Sequence, residues 1–258
     1  MKHLLTVLLA VIILALTSVS ALAQEIIVPL NHFPPWRIVD KNYQVGGINV
    51  ELMNALLRKL DLKATYVIRP WKRAQRMIKN GSADIMNGLL KSQARAKDMI
   101  FLDPPYKTQS SKAFYTLKSK PIKINTYEDL YKYKIGITLG SKFFPRFDSD
   151  TKLSKDMCKD ASTNFKKLER GRIDTIILTE TVGDYLLHKL NYQDKMEKEP
   201  YVYSEPLSVY FAVSKKSFLA KRVPELNAAL KKMVESGEVR SIIDNFMARQ
   251  KNYQNNPL

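Results

Sequence analysis

The sequence predicts an α/β protein of two lobes, the second inserted into the first. Three observations lead there. Its 258 residues suffice for two bodies of about 100–150 residues, each with a core of its own. Strand-like and helix-like segments alternate in two successive α/β units, the pattern of sheets covered by helices. The units are joined by two irregular polar stretches, near Tyr106–Ser111 and Tyr203–Leu207, so the chain crosses between them twice. The first lobe is expected to take residues 24–108 and 207–258, and the second 109–206. A cleft then lies between the lobes, where the C-terminal ends of both sheets present loops to a ligand.

Taken in order, Glu25–Leu30 reads as a short buried strand, with Pro29 suiting its end. The turn-rich Asn31–Trp36 follows. Asn49–Leu60 is an amphipathic helix, with Leu52, Leu56 and Leu60 on one face flanked by Met53 and Leu57. Lys63–Ile68 is a strand and Trp71–Lys79 a helix that Asn80-Gly81 stops. Ala83–Asn87 is the third strand, ahead of Gly88; this βαβαβ run argues for a parallel sheet. The second unit has strands at Lys112–Leu117, Lys134–Thr138 and Ile173–Leu178. Its helices are Tyr127–Tyr131, Ser162–Arg170 and Glu180–Leu190, the last with Thr179 at its N-cap. Ser208–Val213 returns as a strand. Helices Pro224–Ser236, with Pro in its first turn, and Val239–Gln250 close the chain, Gly237 between them. Asn252–Leu258 is expected to fray.

The N-terminus reads as an export signal over residues 1–23. A basic Met1-Lys2-His3 precedes the apolar run Leu4–Leu16, and Ala21-Leu22-Ala23 offers a cleavage site. The run is shorter than the ~20 residues that span a bilayer. No cysteine stands at the cleavage site that follows it, so no lipid anchor is expected and the mature chain should be a diffusible periplasmic protein. Cys158 is the one cysteine in the sequence, which excludes an intrachain disulfide; His3, His32 and His188 are too scattered for a zinc site. No metal and no cofactor is implied. The formal net charge is +17, from 42 Lys+Arg against 25 Asp+Glu. That excess fits a solvated basic surface or the steering of anions toward a cleft. The charges are interleaved with acids, as in Lys195-Met-Glu-Lys-Glu199, and no nucleic-acid motif is present, so no nucleic-acid partner is expected.

Several spaced elements belong together: Phe33-Pro-Pro-Trp36, Gly47-Ile-Asn-Val-Glu-Leu52, Gly81-Ser-Ala-Asp84, Ser92-Gln-Ala-Arg95 and Phe101-Leu-Asp-Pro-Pro-Tyr106. Glu128-Asp-Leu130, Ile135-Gly-Ile-Thr-Leu-Gly-Ser141 and Gly171-Arg-Ile-Asp174 continue the series. In order and spacing they resemble the family 3 extracellular solute-binding proteins of ABC transporters, the polar amino-acid binding type. The resemblance covers nearly the whole mature chain. It implies a periplasmic-binding-protein-like (type II) fold with a hinge of two crossing strands, closing like a flytrap on a small ligand. It also implies an inner-membrane ABC permease as partner, and a monomer is expected.

The resemblance assigns roles by position. Phe33 falls where the family lays an aromatic ring over the ligand, and Trp71 opens a helix facing the cleft; both could equally be core aromatics. Arg95 matches the arginine that forks onto the ligand carboxylate, a geometry guanidinium suits. Ser92 caps the short helix that carries it. Gly140-Ser141-Lys142 matches the loop whose backbone N–H groups complete the carboxylate site, so Ser141 and Lys142 are candidates, with Gly88 beside the first lobe's anion site. Three departures stand out. Leu90 replaces a Ser or Thr, one residue fewer lies between Asp84 and Gly88, and Thr179 stands where the family places an Asp on the ligand's ammonium. Glu180, next in sequence, could serve instead. Otherwise a more negative ligand, a dicarboxylate or acidic amino acid, fits better, since an unneutralised ammonium in a closed cleft is costly. The expected function is therefore capture of a small carboxylate-bearing solute. A dehydratase-like enzyme using Glu180 or His32, or a ligand-sensing module for a membrane sensor, are the alternatives. No nucleophile–base constellation stands out for catalysis.

Overall fold

The computed structural model describes residues 25–255; the expected export signal and residues 256–258 lie outside them. The first lobe begins with β1 (Glu25–Leu30), parallel to β4 (Lys63–Ile68) in register Glu25↔Lys63 through Leu30↔Ile68. Between them run a small hairpin, β2 (Ile38–Val39) and β3 (Val45–Gly46), and helix α1 (Ile48–Arg58). The apolar spacing of α1 buries Ile48, Leu52, Met53, Leu56 and Leu57 completely. Each such side chain contributes about 1.5–3 kcal/mol.

The start of α1 fixes the aromatic loop before it. Ile48 and Asn49 donate their N–H groups to the carbonyls of Pro35 and Trp36, at 3.0 and 2.7 Å. These are helix-terminal donors without an intrahelical partner. Gly47 permits the approach: its φ is +102°, and a Cβ there would meet the Pro35 and Trp36 oxygens at 2.8 Å.

Helix α2 (Trp71–Asn80) ends at Gly81 in the left-handed region, and β5 (Ile85–Leu90) follows. Asp84 ties β5 to β1: Ile27 N–H donates to its carboxylate at 2.8 Å and its own N–H donates to Ile27 O at 2.9 Å. After the one-turn α3 (Gln93–Ala96) comes β6 (Met99–Phe101). Then β7 (Lys107–Leu117) carries the chain into the second lobe and β11 (Met196–Ser214) brings it back.

Between these two long strands lie a 3-10 turn at Glu128–Lys132, β8 (Lys134–Thr138), α4 (Pro145–Ser149) and β9 (Ser154–Cys158). They are followed by α5 (Ala161–Glu169), β10 (Thr175–Thr179) and α6 (Glu180–Lys189). The strands form one sheet in the order β5-β11-β7-β10-β8-β9, with β6 also on β11. The lobe-to-lobe hinge is the antiparallel pair β7/β11, in register Tyr203↔Lys112 through Pro206↔Gln109, with an irregularity between Pro206 and Val209. Helices α7 (Val223–Glu235) and α8 (Glu238–Asn255) return to cover α1, and α6 meets α8 across the lobes.

Separate cores match the two lobes. Ile26, Leu52, Leu56, Phe211, Leu230 and Met233 pack in the first. In the second, Phe114, Tyr127, Phe144 and Phe147 fill one face of the sheet, and Tyr115, Phe165 and Ile176 the other.

Four expectations need correcting. The sheet is mixed: β8, β9 and β10 run parallel, but β5 pairs antiparallel with β11. A local βαβ pattern reports the β1–β4 crossover and cannot see a partner that arrives more than a hundred residues later. The stretches expected to be irregular linkers are strand, because each supplies the other's backbone partners. Further, α4 and β9 were not expected; β9 is a polar edge strand, Ser-Lys-Asp-Met-Cys, without apolar alternation. At the C-terminus, α8 continues through Asn255 into the stretch expected to fray.

Candidate functional site

A cleft of about 220 Å³ opens at the crossing strands and takes its lining from both lobes. The first lobe contributes Phe33, Trp36, Arg37, Asn49, Gly88 and Leu90. The crossing strands and the residue before them add Tyr106, Lys107, Ser110, Lys112, Leu207 and Val209, and the second lobe closes the wall with Thr179 and Val182. Three of these residues are cations, Arg37, Lys107 and Lys112; none is an Asp or Glu.

Arg37 is 7% exposed. Its position follows from the clamp on α1, closed further by reciprocal backbone hydrogen bonds between Phe33 and Arg37 at 2.7 and 3.0 Å. The guanidinium lies between two aromatic faces, 5.3 Å from the centre of Phe33 and 4.8 Å from that of Trp71. Its Nε is buried without a hydrogen-bond partner, and among the described residues no carboxylate pairs with it. Burial lowers its pKa. Gly88 makes the room: at φ +85°, a Cβ would lie 2.4 Å from Arg37 Nη1.

Lys107 holds its ammonium 5.2 Å over the Trp36 ring. Burial, and then the charge of Lys112, push its pKa down from 10.5 to about 8. Lys112 is 6% exposed and donates to Ser110 Oγ at 2.9 Å and Thr179 Oγ1 at 3.4 Å. Burial lowers its pKa, opposed by Glu205 and Asp148, which stand outside the lining. Tyr106 donates to Asn49 Oδ1 at 3.1 Å, and burial raises its pKa. The cleft is thus a half-apolar pocket holding desolvated positive charge, an arrangement that recognises anions.

Of the residues expected from sequence, Phe33, Gly88 and Thr179 line the cleft, and Trp71 stands behind Arg37. Thr179 is an N-cap by position, but its hydroxyl accepts from Lys112 and makes no capping bond. Arg95 is not in this lining: its Nη1 donates to the carbonyl of the lining residue Leu90 at 2.7 Å and its Nε to Gln75 Oε1 at 3.3 Å. Ser92 caps the turn, accepting from Arg95 N at 3.3 Å. Ser141 and Lys142 are exposed on the loop after β8, away from this lining. Glu180 lines the neighbouring groove and binds Lys198 at 2.7 Å, where Asp184 joins at 3.1 Å.

Sequence reasoning missed Arg37, Asn49, Tyr106, Lys107, Ser110 and Lys112. One signal was available: from Pro104 to Tyr127 the chain holds five lysines and no acid, an imbalance that marks the crossing strand carrying two of them.

The family model for bacterial extracellular solute-binding proteins, family 3, matches residues 26–249. A probable histidine-binding protein of Neisseria gonorrhoeae is 26% identical over 226 residues, covering 84% of this chain and 81% of that one. An arginine-binding periplasmic protein of Mannheimia haemolytica is 25% identical over 235 residues, covering 89% and 93%. Among solved structures, the second substrate-binding domain of Lactococcus lactis GlnP in its open conformation superposes with a TM-score of 0.69. It is 24% identical and covers 85% of this chain and 93% of its own. An ancestral amino-acid-binding protein, described as a precursor of cyclohexadienyl dehydratase, reaches 0.59 at 22% identity, covering 86% and 95%. With its two lobes, its crossing-strand hinge and a family match over nearly all the described residues, the chain belongs to the bacterial extracellular solute-binding proteins, family 3.

Proposed function

We propose that the protein is a periplasmic solute-binding protein that captures a small carboxylate-bearing solute, an amino acid or related acid, between its lobes for ABC-type import. The observation that carries this reading is the cleft itself. Buried or half-buried cations reach it from the first lobe (Arg37) and from the start and middle of a crossing strand (Lys107 and Lys112), and no lining acid neutralises them. The lobes divide at 108/109 and 206/207, where β7 and β11 cross. A ligand that touches both lobes has more affinity for the closed arrangement and shifts the population toward it. On closure the rim residues Arg95 and Ser92, with Ser141 and Lys142 from the opposite loop, complete the site around Phe33, Trp71, Gly88 and Thr179. Glu180 holds Lys198 at the edge of the groove. The closed monomer then presents itself to an inner-membrane permease. The names of the histidine- and arginine-binding relatives support a ligand of amino-acid size.

A thermal-shift panel of amino acids and small carboxylic acids tests this. A ligand at a hundredfold excess over its Kd stabilises the folded chain by about 2.7 kcal/mol, and Arg95→Ala should abolish that shift. If no compound shifts the wild type, or if the shift survives in Arg95→Ala, the reading or the rim assignment respectively is wrong.

A further inference from the structure

We propose that the cleft selects amine-free dicarboxylates, with Arg37 receiving one carboxylate, Lys112 the other, and Lys107 set between aromatic wall and ligand. This rests on the solute-binding reading and names the ligand class of that same site.

The charge pattern comes first. An ammonium or guanidinium entering this cleft would meet Arg37, Lys107 and Lys112 with no lining acid to compensate. One like charge at about 6 Å, at an effective dielectric constant near 20, costs roughly a hundredfold in affinity. Of the acids near the second-lobe wall, Glu180 and Asp184 are held by Lys198, and Glu205 and Asp148, which act on Lys112, stand outside the lining.

The aromatic faces lead to the same place. Phe33 and Trp71 would suit a cationic side chain, but the protein's own Arg37 occupies both, and Lys107 covers Trp36. The faces of Phe33, Trp71 and Trp36 that could stabilise a positive ligand are thus already in use.

The unfilled hydrogen-bonding capacity then indicates where carboxylates go. Arg37 is 93% buried by its 7% exposure, lines the cleft, and its Nε has no partner. A buried Nε–H without an acceptor is unfavourable; a ligand carboxylate meeting the guanidinium supplies two parallel hydrogen bonds. Lys112 donates to Ser110 and Thr179 and so retains one of its three donors. Leu90, Val182, Leu207 and Val209 form the apolar surface between, which fits a hydrocarbon body joining two acid groups. Because Arg37 belongs to the first lobe and Lys112 pairs with β10 residue Thr179, a diacid spans both and draws them together.

Isothermal titration calorimetry of the purified mature chain tests this with glutarate and glutamate, which differ by one ammonium, alongside succinate, adipate, arginine and histidine. The expected result is a diacid at least tenfold tighter than glutamate and at least a hundredfold tighter than arginine. Arg37→Met and Lys112→Met should each weaken the diacid at least tenfold. Arg37→Met should melt at or above the wild type, since it removes an unpartnered buried charge, which separates lost binding from lost folding. If Arg37→Met does not fold, Lys112→Met and Arg37→Lys carry the decision, the latter retaining charge but losing the fork. Glutamate, arginine or histidine binding tighter than every diacid overturns this inference and leaves the solute-binding reading intact. Diacid affinity unchanged in Lys112→Met and the Arg37 variants overturns the assigned receptor. No binding of any diacid or amino acid overturns both.

Discussion

Replacing Lys107 by methionine should stabilise the ligand-free protein while weakening its hold on anions. Methionine keeps the length and apolar stem of the side chain and deletes the charge. Burial and Lys112 depress the ammonium's pKa from 10.5 to about 8. At about 1.4 kcal/mol per tenfold, that depression sets a ceiling near 3 kcal/mol on the cost of keeping the charge at pH 7. The side chain is only half-buried, so solvent screening brings the cost to about 1–2 kcal/mol. Losing the contact over Trp36 takes back about 0.5–1 kcal/mol. The net gain is about 1 kcal/mol, or about 2–4 °C in Tm for a chain of this size.

The pH dependence separates this cause from better packing. In the folded chain Lys107 gives up its proton near pH 8, while the unfolded chain keeps it until about 10.4. Wild-type stability therefore climbs between those values. Lys107→Met lacks this contribution, so its advantage is full below pH 8 and fades toward pH 10.5. The other charges near Lys107 are Lys112 in the cleft and Glu180, Asp184, Arg240 and Asp244 in the neighbouring groove. Lys198 engages the first two acids, and Arg240 pairs with Asp244 at 2.8 Å. Urea unfolding of both proteins at pH 7 and pH 10 decides the matter. A variant less stable at pH 7, or an advantage equal at both pH values, refutes the reasoning.

Three further outcomes are expected. Diacid affinity, followed by calorimetry, should fall between pH 7 and pH 9.5 as Lys107 loses its charge, and Lys107→Met should flatten that profile. Gly88→Ala should cost about 1–3 kcal/mol in chemical unfolding, because the φ of +85° disfavours a side chain and the added Cβ meets Arg37 at 2.4 Å; it should also weaken anion binding by displacing the guanidinium. Gly183→Ala, on α6, should destabilise by about 1–3 kcal/mol, since its Cβ would lie 2.3 Å from the fully buried Tyr115 ring.

The order of strands and helices was readable because most elements carry their own signal: the Leu52–Leu56–Leu60 face, the Gly81 stop, the Pro224 start. What lay between them was not, since the pairing of β7 with β11 joins Gln109 to Pro206 and no local pattern encodes so distant a partner. The same divide runs through the site. Phe33 was found because it sits in a spaced element, and Gly88 and Thr179 because they follow the elements ending at Asp84 and Asp174. Arg37 was passed over because a loop arginine ordinarily faces water. Its burial depends on Gly47 letting the Pro35 and Trp36 carbonyls close on α1, and on Gly88 leaving space for Nη1. Lys112 lies within β7, where Ala113, Phe114 and Tyr115 are all buried as well, so alternation gives no hint of which face meets the cleft.

Native mass spectrometry of the protein purified without denaturation addresses the central claim most directly, because it weighs whatever the cleft has retained. A bound acidic molecule free of amine nitrogen, present on the wild type and absent from Arg37→Met, is the predicted result. A retained basic amino acid, or the same acid still bound after that replacement, would contradict it.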